Sequence, residues 1–257
     1  MIRIYLILLL FSSSISLKAQ EDNVSFHFDN YYFTSIYDTV NYCSTLSIFQ
    51  NSKEIYKGEC SDKITSIEAD DLGGNGKKLI LIEYYTGGAH CCEYVEACQF
   101  INGKFVALDT IYWGNVSYKL VDLKKDGKLE LEGYNDMFAY AFTNFAQSAF
   151  AYAIYKFKNN KFYLANSEFK EQVENNIKEL KGYLDDYLKA GFDCPKSPDE
   201  DTFNTDAGAV KALLAPIVAD YSSIGKLQDG YDFVNKVYKC PDKDKFIQIL
   251  KTQYSLK

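Results

Sequence analysis

Two similar polar loops, each set between short apolar segments, constrain the fold of this chain most strongly. Residues 71–77 read Asp-Leu-Gly-Gly-Asn-Gly-Lys, and residues 122–128, which begin 51 positions later, read Asp-Leu-Lys-Lys-Asp-Gly-Lys. A loop of this kind that recurs at about 50 residues between strands is typical of blade-like β repeats. The spacing therefore predicts repeated β-sheets.

Other turn signals extend this spacing across residues 20–166. Turns at residues 102–103 and 159–160 follow the two loops, and a turn at residues 51–52 precedes them. A third, partial copy is therefore expected before the two full ones. Four antiparallel strands per copy suit a propeller blade, but two and a half blades cannot close a ring. We expect an open, twisted antiparallel assembly over residues 20–166.

The hydrophobic period changes at Ser167 from about two to about 3.6. Apolar residues then recur every three or four positions, which predicts an amphipathic helix with Ser167 as its N-cap. A second helix is expected to be bent or interrupted at Pro216. The chain is thus predicted to be α+β, with a blade-like antiparallel β region followed by about four helices in residues 167–257. The four predicted helices span residues 169–188, 206–221, 231–238 and 242–254.

The first 19 residues are predicted to be a secretory signal peptide. A short basic start is followed by an apolar run over residues 4–11, then serines and the small residue Ala19. Cleavage after Ala19 would leave a secreted or periplasmic chain. No later segment is long and apolar enough to cross a bilayer, so no integral membrane segment is expected after cleavage.

Charge and composition disfavour nucleic acid as a partner. Removal of residues 1–19 takes away Arg3 and Lys18 and no acid, so the net charge falls from −7 to −9. Arg3 is the only arginine, and arginine supplies the planar, bidentate capture of phosphate. An acidic chain without arginine is a poor nucleic-acid binder. The expected partner is a protein or a carbohydrate ligand.

Seven cysteines in an exported chain predict disulfides and one remaining thiol. If Gln50 faces Lys53 across the turn at residues 51–52, Cys43 faces Cys60 in the same hairpin. Counting back in odd steps places that pair at a non-hydrogen-bonded position, where Cα atoms approach closely enough for a disulfide.

A second disulfide is predicted by exclusion. Cys194 and Cys240 are the only cysteines of the C-terminal part, and each is followed by proline. They are therefore expected to pair. One bond or none is then left for Cys91, Cys92 and Cys98.

The first acid loop is a weak candidate for calcium. In calcium loops of this type, alternate side-chain oxygens converge on the ion and a later acid completes the shell. The loop keeps Asp71 and Asn75, but it has Gly73 and Leu79 at two other ligand positions. A plain β-turn with a glycine at positive φ is the favoured interpretation.

The second loop is the better calcium candidate. Asp122, Asp126 and Glu130 occupy ligand positions, and Lys124 stands at the middle position. The lysine ammonium could neutralise the acids as an ion would. Calcium at these three acids is the predicted cofactor, with a plain turn at Gly127 as the alternative.

The segment around two consecutive glycines is the predicted ligand site. Consecutive glycines let a ligand or another backbone approach closely. A thiolate nucleophile with a histidine base, or a soft-metal site, would require His90 and Cys91 to act together. Both are disfavoured, because cysteines of an exported chain tend to form disulfides. In addition, neighbouring residues on a strand point to opposite faces of the sheet. A disulfide-stapled turn is the alternative. The predicted ligand-binding residues are Tyr84, Tyr85, Gly87, Gly88 and His90.

The two acid loops, the segment at residues 86–92 and the stretch at residues 136–146 resemble bacterial exported proteins with degenerate FG-GAP/VCBS repeats. That resemblance implies an integrin-α-like blade architecture, calcium-type loops and, for many relatives, adhesion or ligand binding. It supplies no catalytic residue. Residues 136–146, which alternate aromatic and small side chains, are expected to form a core strand against the helices.

Three functions remain open from the sequence. The first is an exported, non-catalytic binding or protein-interaction module. The second is a secreted hydrolase that uses calcium or paired carboxylates among Glu83, Glu93 and Glu96. The third is a carbohydrate-binding module that uses tyrosines. A cleft with two converging carboxylates would favour the hydrolase, and a row of exposed tyrosine would favour the sugar binder.

Overall fold

The structure is a computed structural model that describes residues 22–88 and 91–257. The predicted signal peptide and His90 lie outside the described residues. Twelve strands come first in the described chain and four α-helices follow them, with one short 3-10 helix between the tenth and eleventh strands and another before the first α-helix. This order confirms the predicted α+β class.

The first sheet is a complete four-stranded meander in chain order, not the partial copy expected from the sequence. Its tight turns use left-handed backbone at Asp29 (φ 52°), Asn51 (φ 48°) and Ser52 (φ 64°). We call it sheet 1. Its strands are β1 (Val24–Phe28), β2 (Tyr31–Asp38), β3 (Cys43–Gln50) and β4 (Lys53–Ser61).

Sheets 2 and 3 repeat this plan, since each consists of four consecutive antiparallel strands. In each sheet an acid loop joins the first strand to the second. Sheet 2 contains β5 (Lys63–Asp70), β6 (Leu79–Tyr85), β7 (Glu93–Ile101) and β8 (Lys104–Gly114). Sheet 3 contains β9 (Tyr118–Val121), β10 (Glu130–Asn135), β11 (Ala151–Lys158) and β12 (Lys161–Leu164).

The three sheets are stacked, with sheet 2 in the middle. One core joins Phe33 of sheet 1 to Ile82 of sheet 2, and another joins Leu81 of sheet 2 to Leu131 of sheet 3. Residues 79–82 of β6 are therefore all buried, as expected for a strand covered on both faces. The outer face of sheet 1 stays uncovered within the described part of the chain.

The four α-helices share one core beside sheet 3, and the first two of them contact its strand β11. The second of them runs without interruption through Pro216, contrary to the break considered from the sequence. Ser167 is not the N-cap of the first, because it lies in the 3-10 helix Asn166–Glu168 and the buried Phe169 occupies the cap position. The helices are α1 (Lys170–Ala190), α2 (Asp206–Ser223), α3 (Leu227–Val237) and α4 (Lys243–Thr252).

Residues 136–146 do not form the expected core strand. They consist of turns that lead into the 3-10 helix Phe145–Gln147. The segment connects β10 to β11, and these strands already pair with each other, so it cannot insert between them. Its predicted packing is nevertheless present, because Phe138 and Phe142 are buried in the core of the helices.

Buried polar bonds fasten the helices to sheet 3. The Asp220 carboxylate of α2 accepts from the Tyr152 backbone N–H at 2.8 Å and from the Asn176 amide at 2.7 Å. Asn166 accepts from the Ile154 N–H at 2.9 Å. Residues on both sides of the predicted boundary at position 166 thus share one core. Of the helices in the described ranges, none has the length and apolar character needed to cross a bilayer.

Candidate functional site

The first acid loop is closed by its own aspartate. One carboxylate oxygen of Asp71 accepts from the N–H groups of Gly73 and Asn75 at 3.2 and 3.1 Å, and the other accepts from Gly76 at 2.5 Å. Burial alone would raise the pKa of Asp71, but these bonds and one from the Gly74 N–H outweigh it and the pKa is lowered. The aspartate therefore stabilises the turn itself.

The second loop repeats two of these three bonds at the equivalent positions. Asp122 accepts from the N–H groups of Asp126 at 3.0 Å and Gly127 at 2.8 Å. Gly127 has φ 79° and its counterpart Gly76 has φ 78°. The two loops also touch, since the Lys128 side chain lies against the position where Gly74 lacks a Cβ. Both loops are thus the same self-bonded turn in neighbouring sheets.

The three predicted calcium ligands have different surroundings in the second loop. Asp122 is half-buried, Asp126 is exposed, and Glu130 is fully buried. One Glu130 oxygen accepts from the Leu123 N–H at 3.1 Å, and the other has no partner among the described residues. Burial raises the pKa of Glu130. In residues 22–88 and 91–257, no group of three or more His, Cys, Asp or Glu is arranged to hold a metal ion.

Lys124 does not neutralise the loop acids as the sequence suggested. Its ammonium lies 3.4 Å from a Glu168 carboxylate oxygen and 4.5 Å from the centre of the Phe169 ring. The side chain therefore points to the start of the helical segment, where an acid and an aromatic face compensate its charge.

The predicted ligand residues Tyr84 and Tyr85 lie on opposite faces of β6. Tyr84 is 8% exposed, and its ring stacks on Tyr94 at 4.7 Å in the core between sheets 1 and 2. The Tyr85 hydroxyl donates to the Gly88 carbonyl. Because strand neighbours alternate, these two tyrosines do not contribute to one surface.

The turn that follows is exposed and pinned at its base. Gly87 and Gly88 have φ 90° and 99°, conformations that favour glycine. The Thr86 N–H donates to the Cys92 carbonyl at 3.1 Å, and the Cys92 N–H donates to the Thr86 hydroxyl at 2.8 Å. A disulfide joins the neighbours Cys91 and Cys92. The buried Cys98 is the free thiol.

The structure contains both disulfides predicted from the sequence. Cys43 is bonded to Cys60 with a Cα–Cα distance of 5.4 Å, and Cys194 to Cys240 with one of 5.2 Å. The predicted register of the first pair is wrong, because two irregularities in the β3–β4 ladder make Thr45 the partner of Cys60. The disulfide is therefore diagonal across the hairpin.

The carboxylates considered for hydrolysis divide between the two faces of sheet 2. Glu83 and Glu93 lie on the face toward sheet 3, and Glu96 lies on the face toward sheet 1, where the Tyr84 hydroxyl donates to it at 3.4 Å. Burial, and then the Glu83 charge, raises the pKa of Glu93. Glu96 is thus separated from the other two by the sheet itself.

An aromatic row that the sequence analysis missed crosses the outer face of sheet 1. Direct strand pairing places His27 beside Tyr32 and Tyr32 beside Phe49. The ring centres are 4.5 Å and 6.3 Å apart. In β2, Phe33 is buried and the adjacent Tyr32 is 37% exposed. The two-residue period of this strand indicates that these side chains lie on opposite faces, but the sequence does not show that the face of Tyr32 is left uncovered.

The aromatic row borders a cavity of about 510 Å³ at one end of sheet 1. The two tight turns of the sheet contribute polar groups to the same cavity, namely Asp29, Asn30, Asn51 and Ser52. Rings therefore form its floor, and carboxylate, amide and hydroxyl groups stand beside them. This combination can stack on an apolar surface and bind hydroxyl groups at its edge.

Comparison with known proteins identifies no family for this chain. No family model matches it, and no solved structure matches it. It is similar to a Synechocystis sp. protein named "Probable thylakoid lumen protein", with 26% identity over 187 residues, which are 68% of this chain and 47% of the relative. The chain spans about half the length of that curated relative. The resemblance to FG-GAP/VCBS proteins therefore stays a prediction.

Proposed function

We propose that this chain is an exported, non-catalytic binding protein whose aromatic row holds a neutral saccharide. Export is supported by the N-terminal sequence, by three disulfides, which persist in oxidising compartments, and by a relative named for the thylakoid lumen. A saccharide ligand is supported mainly by the row of His27, Tyr32 and Phe49 on an uncovered sheet face.

The chemistry of the cavity fits a sugar better than an anionic ligand. A pyranose has an apolar C–H face that packs on aromatic rings and a rim of hydroxyl groups that needs donors and acceptors. Asp29, Asn30 and Asn51 supply such groups next to the rings. No arginine or lysine lines the cavity, so it has no permanent positive charge with which to select an anion.

The position of the row in the stack supports the same assignment. Sheet 3 is covered by the helices and sheet 2 by its two neighbours, whereas the outer face of sheet 1 has no cover in the described residues. An uncovered face that carries aromatic side chains marks an interaction site. The half-exposed Tyr32 at the centre of the row is the residue on which binding should depend most.

Substitution of Tyr32 tests the proposal. We expect Tyr32→Ala to weaken binding of neutral oligosaccharides about tenfold, equivalent to roughly 1.4 kcal/mol, because one stacking ring is lost. Isothermal titration with a panel of cello-, xylo-, manno- and chito-oligosaccharides measures the effect.

The matched control is Tyr112→Ala, which removes a tyrosine that is 73% exposed on sheet 2, away from the cavity. This variant should bind as the unmodified protein does. Absence of binding to every sugar in the panel, or equal losses in the two variants, would overturn the proposal.

Calcium binding by the second loop stays a prediction, and one observation favours it. The buried Glu130 oxygen without a partner is an acceptor that a cation could satisfy. We expect calcium to raise the melting temperature and Asp126→Ala to abolish the rise. Asn75→Ala, at the equivalent position of the first loop, should retain it. Equal behaviour of the two variants would count against a site in the second loop.

A further inference from the structure

A second cavity, of about 370 Å³, lies in the helical segment far along the chain from the aromatic row. It is lined by the β10–β11 connection, the loop between α1 and α2, and α4, and it shares no residue with the aromatic cavity. Its size falls within the range of about 300–1,000 Å³ that is usual for small-molecule sites.

A buried ion pair stands in the wall of this cavity. Lys211 of α2 is 7% exposed and donates to the Thr202 hydroxyl and, at 2.7 Å, to one oxygen of Asp242. The Tyr238 hydroxyl donates to the other Asp242 oxygen at 2.9 Å. An ammonium has three N–H groups, and the contacts of Lys211 within the described chain use two. The third is available to a guest that accepts a hydrogen bond.

Apolar side chains surround the ion pair. Phe142 and Phe246 meet edge to face with ring centres 5.2 Å apart, and Tyr254 lies 6.3 Å from Phe142. All three line the cavity together with Ile249. They offer a guest an apolar wall next to the buried Lys211 ammonium.

The rim of the cavity is acidic. Asp199 is paired with Lys245 at 3.1 Å. Glu200 and Asp201 accept from nearby backbone N–H groups, and no counter-charge pairs with them among the described residues. The disulfide between Cys194 and Cys240 ties this rim loop to the turn before α4. The site therefore offers an ammonium N–H donor, paired with Asp242, inside and negative charge at its mouth.

We propose that this cavity binds the C-terminal end of a short peptide. The terminal carboxylate accepts from the Lys211 ammonium, and the last side chain, which is apolar, packs on Phe142 and Phe246. The peptide ammonium lies at the rim near Glu200 and Asp201. A phosphate dianion fits less well, because the acidic rim repels it and the second lysine of the cavity, Lys245, is already paired with Asp199. A peptide with opposite charges at its two ends matches both parts of the site.

Chemically matched ligands test the proposal on the unmodified protein. The probes are the dipeptide alanyl-phenylalanine, the same peptide with a C-terminal amide, and its N-acetylated form. Titration calorimetry should show binding of the first, at least about tenfold weaker binding of the amide, since a charge-assisted bond is lost, and a smaller loss for the N-acetylated form. Equal affinity for all three, or no binding of the first, would overturn the proposal.

Variants at the exposed rim complete the test without disturbing the buried pair. Glu200→Gln combined with Asp201→Asn should weaken the dipeptide and leave the N-acetylated form unchanged. The matched control is Asp185→Asn combined with Asp186→Asn, two exposed acids of α1 away from the cavity. Tyr32→Ala, which removes the proposed sugar contact, should leave peptide binding intact. A loss with the α1 control equal to that with the rim variant would contradict the assigned contacts.

Discussion

Asp220 has no exposed surface, and it joins α2 to α1 and to β11 through hydrogen bonds that it accepts. Burial raises its pKa from 3.8 to about 8, although the bond from Asn176 acts in the opposite direction. The carboxyl group is therefore expected to hold a proton in the folded protein under conditions in which the unfolded chain has lost it.

This shift predicts how stability depends on pH. Because the folded pKa is the higher one, the stabilising contribution of Asp220 is full below pH 3.8 and is lost as the pH rises through about 8. The slope in this window is up to about 1.4 kcal/mol per pH unit. Asp220→Asn should flatten that part of the curve, as measured by urea unfolding at a series of pH values. The exposed Asp185→Asn should leave the slope unchanged, and parallel curves for Asp220→Asn and the unmodified protein would refute the prediction.

Individual residues also show what the sequence could and could not supply. The pairing of Cys194 with Cys240 followed from counting, because no other cysteine lies in that part of the chain. The exposure of Tyr32 did not follow, since alternation shows that two faces differ but not which face another sheet will cover. Likewise, Lys211 and Asp242 lie 31 positions apart in the chain. Only the packing of the helices brings them together.

The acid loops are the elements with the most closely matched structure. Gly76 and Gly127 both lie at positive φ, and a Cβ at either position would meet nothing within 4 Å. The loss of stability on replacing either glycine is therefore set by backbone conformation alone.

Alanine at these positions should have equal effects. We expect Gly76→Ala and Gly127→Ala each to lower the free energy of unfolding by about 1 kcal/mol, because an L-residue is strained there. Gly182→Ala in α1, where the added Cβ is also free of contacts, should raise it by roughly 0.5–1 kcal/mol. Denaturant unfolding gives all three values. Clearly unequal losses in the two loops would show that the loops are not equivalent.

The sequence predicted the positions of strands and helices well, but it predicted the pairing register of the strands less well. The apolar run at residues 79–82 and the helical period after residue 169 identify β6 and α1 within a few positions. The register of β3 and β4 could not be read from the turn alone, because two irregularities accumulate before Cys60. The alternation of aromatic and small residues predicts a strand at residues 136–146, but these residues form a connection whose rings at Phe138 and Phe142 pack into the core.

The whole molecule is a stack in which three sheets and a helical layer share cores. Sheet 3 contributes Ala151, and its connection contributes Phe138 and Phe142, to the same core as the helices. The predicted boundary at position 166 thus divides the sequence by secondary structure, although the packing is continuous across it.

Continuous packing predicts that the sheets and helices unfold together. Trp113, the only tryptophan, is 2% exposed between sheets 2 and 3, so its fluorescence reports on the sheets. Far-ultraviolet circular dichroism reports mainly on the helices. The two signals should give one coincident transition in denaturant. Separate midpoints would show that the helical segment is an independent unit.

The self-bonded acid loops have a consequence for how chains of this kind can differ in length. Each loop is closed by hydrogen bonds within its own seven residues. The two loops touch each other where the Lys128 side chain lies against the backbone at Gly74. Inserting or deleting one entire sheet would leave every bond inside the remaining loops in place. Relatives are therefore expected to gain or lose length in steps of one sheet, close to the 51 residues that separate the loops here.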